Sequence, residues 1–161
     1  MSNDNPISEI VIRDAKFYFK NFSGAPGTYN DPGDRNFGVY IGEELAEELA
    51  DAGWNVKYTK PKEDREPRPF LKIKLKFKGH PHLYMVRGNK TVELDEETVN
   101  ELDELYFEKA DIKLKRVYLS KYDTYGQYID KGFFTILLDE LDREYLDHST
   151  PAFGDEDDIP F

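Results

Sequence analysis

The sequence predicts a mostly β fold, an OB-like β-barrel with two short helices. The stretch Phe70-Leu-Lys-Ile-Lys-Leu-Lys-Phe-Lys78 alternates apolar and basic residues without a break, as a strand with one buried face does. Seven further segments read as strands, and helical spacing occurs in only two short ones. In a chain of 161 residues, this order favours one compact barrel, and a two-sheet sandwich is the alternative.

The other predicted strands are short segments rich in β-branched and aromatic residues, bounded by turn-forming residues. They cover residues 9–22, 36–41, 54–60, 83–86, 91–94, 110–119 and 132–138. The turn-rich stretch 23–33 and the charged, proline-rich stretch 61–69 are expected to be exposed loops. A tyrosine-rich turn is expected at residues 122–128.

Two short amphipathic helices are predicted between the strands. The first covers residues 43–52, where Leu45 and Leu49 are one turn apart and Gly53 suits the position after the helix. The second begins at Asp95, which resembles an N-cap and precedes two glutamates. Its apolar stripe consists of Val99, Leu102, Leu105 and Tyr106.

The alternating strand carries the main functional prediction. Strand side chains repeat their facing every two residues, about 6.6 Å, so one row of ammonium groups is expected from Lys72, Lys74, Lys76 and Lys78. Such a row suits an extended polyphosphate. An edge strand charged against aggregation is the structural alternative. That alternative explains one or two lysines well and four in register poorly.

Charge is segregated along the chain. Residues 1–138 hold 21 Lys and Arg against 24 Asp and Glu, a net charge of −3, whereas residues 139–161 hold one Arg against nine acids, a net charge of −8. Within residues 57–90, 11 basic residues stand against three acids. Because the field at a groove depends on local arrangement, a total of −11 does not exclude nucleic acid as a partner.

The last seven residues form a compact docking peptide in this interpretation. Ile159 and Phe161 suit an apolar pocket, Pro160 limits backbone freedom, and the four acids suit a basic rim. The residues expected to bind a partner protein are Asp155, Glu156, Asp157, Asp158, Ile159, Pro160 and Phe161. A frayed acidic terminus that aids solubility is the alternative, but solubility does not call for Ile-Pro-Phe at the end.

Two stretches resemble known single-stranded DNA-binding proteins. The tip DEDDIPF resembles the C-terminal tip of the bacterial family, which recruits replication, repair and recombination partners. The run FKNFSGAPGTYNDPGDRNFGVYIGEELAEELADAGWNVKYTKP, residues 19–61, is similar to a phage family of OB-fold single-stranded DNA-binding proteins.

The body resemblance covers most of residues 9–138, and the apolar pattern is lost from Asp147. Residues 1–146 are therefore expected to form the DNA-binding domain and 147–161 a disordered acidic tail. Bacterial members join the domain to the tip through a long linker, whereas only residues 147–154 intervene here. Because of this difference, the tetramer of the bacterial family is not carried over, and a monomer or dimer is expected.

Cations interleaved with exposed rings are what single-strand binding without sequence choice requires. The predicted DNA-binding residues share turns or faces with basic neighbours, although any one ring at a strand position is more often core. They are Lys16, Tyr18, Lys20, Phe22, Tyr29, Arg35, Trp54, Lys57, Tyr58, Lys60, Lys72, Lys74, Lys76, Lys78, Arg87, Lys90, Tyr122 and Tyr125.

No catalytic constellation is recognisable. His80 and His82 lack a third ligand placed by the sequence, and the glutamates of the predicted helices read as solvated faces. We therefore predict a non-enzyme without metal or cofactor. It would coat single-stranded DNA in phage replication or recombination, in the bacterial host cytoplasm, since no cysteine, signal peptide or long apolar run is present.

Two other classes remain open from the sequence. An acidic interaction protein that mimics DNA would explain the net charge and would have no affinity for oligonucleotides. A metal-dependent nuclease or annealing enzyme would show Mg²⁺-dependent turnover of DNA.

Overall fold

The computed structural model describes residues 7–139 and 141. Within these residues the chain forms nine strands, one α-helix and two 3₁₀ turns. The strands are β1 Glu9–Ile12, β2 Phe17–Asn21, β3 Asn36–Tyr40, β4 Val56–Tyr58, β5 Pro69–Lys74, β6 His82–Arg87, β7 Lys90–Leu94, β8 Phe107–Leu119 and β9 Thr124–Ile136. The helix α1 is Glu43–Asp51, and the 3₁₀ turns are Phe77–Gly79 and Val99–Asp103. The mostly β prediction is confirmed.

All nine strands belong to one sheet. Its main path runs β1-β8-β9-β5-β3-β2, with β4 on β5, β6 on β9 and β7 on β6. The strands β8 and β9 are 13 residues each and form a long antiparallel hairpin. β5 joins β9 in parallel through the single pair Lys74–Tyr128. The sheet is open along this path, so the expected closed barrel is not found.

The reason for the opening lies in the first predicted strand, residues 9–22. Instead of one strand, the chain forms β1 and β2, which sit at opposite ends of the sheet path. Asp14 interrupts the strand because its φ of 52° is in the left-handed region. Two backbone hydrogen bonds still reach across the opening: the Ala15 amide donates to Ala110 of β8, and the Tyr40 amide of β3 donates to Lys16.

The core lies on the inner face of the sheet. Phe22 and Phe37 stack with ring centroids 5.2 Å apart, and Phe134 meets Phe22 edge-on at 5.6 Å. The alternating lysine-rich segment contributes further core residues, since its Leu71, Ile73 and Leu75 are all buried. α1 adds Ala46 and Leu49. The first predicted helix is confirmed within one residue at its end.

The lysine-rich strand is shorter than predicted. β5 ends at Lys74 rather than residue 78. The Leu75 amide makes one more bond, to the Arg35 carbonyl, and the chain then turns through Phe77–Gly79 and His80, whose φ is 57°. The single regular row of four lysines is therefore wrong beyond Lys74.

The second predicted helix is also shorter than expected. Asp95 caps only the turn at residues 95–98, where its carboxylate accepts hydrogen bonds from the amides of Glu97 and Thr98; the N-cap of the helical turn that follows is Thr98. Only the 3₁₀ turn Val99–Asp103 follows. Val99 and Leu102 are buried, whereas Tyr106 is 79% exposed. The apolar stripe therefore covers one turn and does not continue.

We expect Phe22→Ala to lower the free energy of unfolding by about 3–5 kcal/mol, the usual loss for a buried phenylalanine. Phe22 is fully buried among aromatic rings, so truncation leaves a cavity. Urea denaturation followed by circular dichroism measures the change. Tyr122→Ala removes an exposed ring and should change stability by less than about 0.5 kcal/mol. Equal small losses in both variants would contradict the placement of Phe22.

Candidate nucleic-acid interface

The face of the sheet opposite the core carries a row of polar side chains across four strands. Paired residues on neighbouring strands project to the same face. Asn36 pairs with Lys74, Lys74 with Tyr128, and Tyr128 with Lys115. This outer face therefore brings a lysine of β5 beside a tyrosine of β9 and a lysine of β8.

A groove opens on this outer face beside the β8–β9 hairpin. Its volume is about 470 Å³. The lining combines three lysines, two tyrosines and an apolar floor: Lys76, Lys78, Gly79, Lys115, Val117, Leu119, Tyr122, Tyr128 and Ile129. We call these residues the groove. Cations beside aromatic rings can hold a phosphate backbone while the rings face flat bases.

Tyr128 owes its position in the groove to Gly126. A Cβ atom on Gly126 would lie 2.5 Å from Cε2 of Tyr128, so the ring rests against the glycine backbone and no larger residue fits there. Burial raises the pKa of the Tyr128 phenol above its ordinary value of 10.0. The phenol is therefore neutral at physiological pH and adds no negative charge to a site for polyanions.

The three lysines of the groove differ in their partners. Lys76 and Lys78 are exposed, and no carboxylate of the described residues lies within ion-pair distance of either. Lys115 Nζ lies 3.2 Å from Asp130 Oδ1, and Lys113 Nζ lies 3.7 Å from the other oxygen. Asp130 is the extra residue of a β-bulge in β9. It offsets part of the charge at one end of the groove.

The opposite side of the hairpin carries a second set of aromatic side chains. The Arg116 guanidinium lies 3.6 Å from the centroid of the Tyr125 ring, which is 5.2 Å from the Tyr118 ring. The Tyr118 hydroxyl donates to Asp123 at 2.6 Å. Because strand side chains alternate between the two faces, residues 116, 118 and 125 project from the face of the hairpin opposite the groove residues 115, 117 and 128. Tyr125 was predicted together with Tyr122, but the structure does not bring the two rings into one site.

Two predicted stacking rings belong to the core. Phe22 is fully buried, and Trp54 is 4% exposed with its indole N–H donating to the Ile7 carbonyl at 2.8 Å. Neither ring can meet a base without unfolding, so the prediction is wrong for both. The indole N–H needed a buried acceptor, and the sequence does not show one.

Two predicted cations stabilise turns instead of facing a ligand. Lys20 Nζ donates to the carbonyls of Leu102 and Leu105 and lies 4.3 Å from the Phe107 ring. Burial lowers the pKa of Lys20 from 10.5, partly opposed by Asp103 and Glu104. Arg35 donates to the Phe22 carbonyl and the Asn100 amide oxygen. Both side chains tie β2 and its following loop to the 3₁₀ turn.

The other predicted residues are scattered. Lys16 forms a 3.1 Å ion pair with Asp14, and Lys90 is only 7% exposed opposite Arg87 in the β6–β7 hairpin. Tyr29 and Lys60 lie exposed in loops. On the outer face of β2, β4 and β5 lie Tyr18, Lys57, Lys72 and Lys74. Tyr58 is exposed, but it pairs with Pro69 and shares the face of Val56 and the buried Leu71.

Sequence reasoning found Lys76, Lys78 and Tyr122 of the groove and missed Lys115, Val117, Leu119 and Tyr128. The missed residues could have been found by predicting that residues 107–119 and 124–136 pair as one long hairpin. This pairing would have placed Lys115 opposite Tyr128 instead of assigning Tyr128 to a turn. The partner-binding tip, residues 155–161, lies outside the described residues.

The part of the chain that the structure describes shows neither a metal-binding cluster nor a membrane-spanning helix. No group of three His, Cys, Asp or Glu side chains there is placed to hold a metal ion. His82 Nδ1 instead lies 3.3 Å from Glu93. No helix in that part of the chain is long and apolar enough to cross a membrane.

The chain belongs to the family described as "Putative phage ssDNA-binding domain", which it matches over residues 1–159. This confirms the resemblance of the chain to the phage family. The family is one of DNA-binding domains and not of enzymes, in agreement with the prediction of a non-enzyme.

Among solved structures, the chain is similar to the single-stranded DNA-binding protein from bacteriophage Enc34, in a C-terminally truncated form. The sequence identity is 7%, the match covers 82% of this chain and 88% of that chain, and the TM-score is 0.48. No curated protein sequence matches the chain.

Proposed function

We propose that this protein binds single-stranded DNA without sequence choice and that the groove is its main contact. Membership of a phage single-stranded DNA-binding family supports the class of ligand. The observation that supports the groove as the DNA-binding site is its combination of three lysines with two tyrosines around one concave surface. A second concavity, of about 230 Å³, is lined by Lys16, Lys20 and Lys109 with Phe17, Tyr106 and Phe107. It has about half the volume of the groove, and two of its lysines are already engaged, since Lys16 pairs with Asp14 and Lys20 donates to two carbonyls.

The chemistry of an unpaired strand suits this groove. Lys76 and Lys78 are free to approach phosphate oxygens, and phosphate contacts are independent of sequence. Tyr122, 67% exposed, offers a face on which any base can stack, worth about 1–3 kcal/mol per base. Bases in a duplex have both faces covered by stacking, so the groove would favour single strands.

The protein would act in phage DNA replication or recombination, in the cytoplasm of the host cell, with an OB-like domain over residues 1–146. Its acidic tail, 147–161, would recruit partner proteins through the Ile-Pro-Phe tip. The acids of the tip would also compete with DNA for the basic groove, since a tethered segment reaches an effective concentration of about millimolar. DNA would displace the tail and free the tip for partners.

The lysines of the groove are expected to set the salt dependence of binding. In a titration of fluorescent poly-dT at several salt concentrations, Lys76→Gln with Lys78→Gln should weaken binding. It should also reduce the slope of log K against log salt by about 0.7 for each cation that contacts phosphate. Tyr122→Ala should lower affinity by about fivefold or more with little change in slope.

Lys109→Gln is the control for the single variants Lys76→Gln and Lys78→Gln, because it removes one charge from an exposed lysine near the start of β8, away from the groove. Its slope should equal that of the native protein. If Lys109→Gln reduced affinity as much as the groove variants, general charge rather than the groove would account for binding. No affinity of the native protein for poly-dT would contradict the proposed function and favour an acidic DNA mimic.

Deletion of residues 155–161 is expected to tighten DNA binding at low salt and to abolish recruitment of partner proteins. The deletion removes four acids that would otherwise occupy the groove. A poly-dT titration of the full-length and truncated chains measures the first effect. An unchanged affinity at low salt would contradict competition between tail and DNA. The effect should disappear at high salt, because screening weakens the attraction of tail to groove.

A further inference from the structure

A cluster of four aromatic rings lies on the outer face, away from the groove. The Tyr18 ring is 4.8 Å from Phe70, 5.5 Å from Tyr40 and 5.9 Å from Phe19 between centroids. We call Tyr18, Phe19, Tyr40 and Phe70 the ring cluster. A Cβ on Gly38 would lie 2.6 Å from Phe19, so glycine is what lets the Phe19 ring lie against the strand.

The strand β5 joins the ring cluster to the groove. Phe70, Lys72 and Lys74 alternate with the buried Leu71 and Ile73, so they share the outer face. Phe70 pairs with Tyr40 at one end, and Lys74 pairs with Tyr128 at the other. Four residues of strand span about 13 Å. Lys72 therefore stands between two sets of aromatic rings on one continuous face.

Cations surround the ring cluster. The Arg68 guanidinium lies 3.8 Å from the centroid of the Tyr40 ring, and Lys57 stands opposite Phe70 in the β4–β5 pair. Among the described residues, no carboxylate forms an ion pair with Lys57, Arg68 or Lys72. A guanidinium stacked on a tyrosine presents a flat cationic surface, and bases stack on arginine planes as well as on rings.

Exposure of the ring cluster distinguishes it from the core. The core rings Phe22 and Phe37 are fully buried, whereas Tyr18 is 46% exposed and Tyr40 is half-buried. Phe70 lies beneath them and is covered by Tyr18. The upper rings therefore form an accessible apolar surface bordered by positive charge. A protein partner would not need the cations, whereas a nucleic-acid strand needs both.

We propose that the ring cluster with Arg68 is a second base-stacking subsite for the strand held in the groove. Lys72 and Lys74 would contact the phosphates between the two subsites. This inference rests on the proposed function and adds to it the path of the strand: along β5, then across β9 to β8. The site is then longer than the groove alone, and its length is a measurable property.

The length of the site is tested with a series of dT oligonucleotides from about 4 to about 16 nucleotides, the range of OB-fold site sizes. Affinity of the native protein should rise with length until both subsites are covered. In Tyr18→Ala and Arg68→Gln, the rise should stop at a shorter length, and affinity for the longest oligonucleotide should fall by about fivefold or more. Tyr18→Leu serves as a second variant that retains apolar packing on Phe70.

Two controls make the result specific. Tyr106→Ala removes a more exposed tyrosine just before β8 and should leave the length dependence unchanged. Arg68→Lys retains the charge but not the plane, and it should fail to restore the affinity. Restoration by lysine, or the same limiting length in the Tyr18 variants and the native protein, would overturn the second subsite. Absence of binding at every length would instead contradict the proposed function.

Discussion

The pairing of β8 with β9 is the constraint on which the rest of the structure depends. Its register sets Lys115 opposite Tyr128 on the outer face and Leu114 opposite Ile129 on the inner face, so one ladder supplies both the core and the groove. β9 then connects two otherwise separate parts of the sheet, because it pairs with β6 and, through Tyr128, with β5. A shift of one residue in this hairpin would move the groove lysine to the core side.

Charge segregation reconciles an acidic protein with a polyanionic ligand. The net charge of −11 is the sum over the chain, whereas the outer face along β5 and in the groove carries Lys72, Lys76 and Lys78 without ion-paired acids among the described residues. Asp34 lies beside Lys74, and Asp130 lies between Lys113 and Lys115. The two aspartates offset positive charge at Lys74 and Lys115, which would lower the affinity for DNA. The other lysines of the outer face would still be able to contact phosphates.

The sequence was sufficient for local elements and insufficient for their relative positions. Binary alternation predicted β5 and its buried face, and the spacing of Leu45 and Leu49 predicted α1. The break at Asp14 was not predictable, because a left-handed aspartate has no pattern of its own. The burial of Phe22 and Trp54 was missed because the local sequence around an aromatic residue near basic residues is the same whether the ring is buried in the core or exposed on a binding face. Tyr40 meets Phe70, and Tyr128 meets Lys74, only through pairing with the distant strand β5, and a single sequence does not encode that pairing as a local signal.

In the proposed complex an unpaired strand lies on the outer face, over the groove and along β5. Chemical-shift mapping of the ¹⁵N-labelled full chain with oligo-dT locates the bound strand. The largest backbone amide shifts are expected at residues 72–79, 115–119 and 122–128, with little change in α1. Shifts concentrated on α1 or on the β6–β7 hairpin, with the groove unaffected, would contradict this location of the strand.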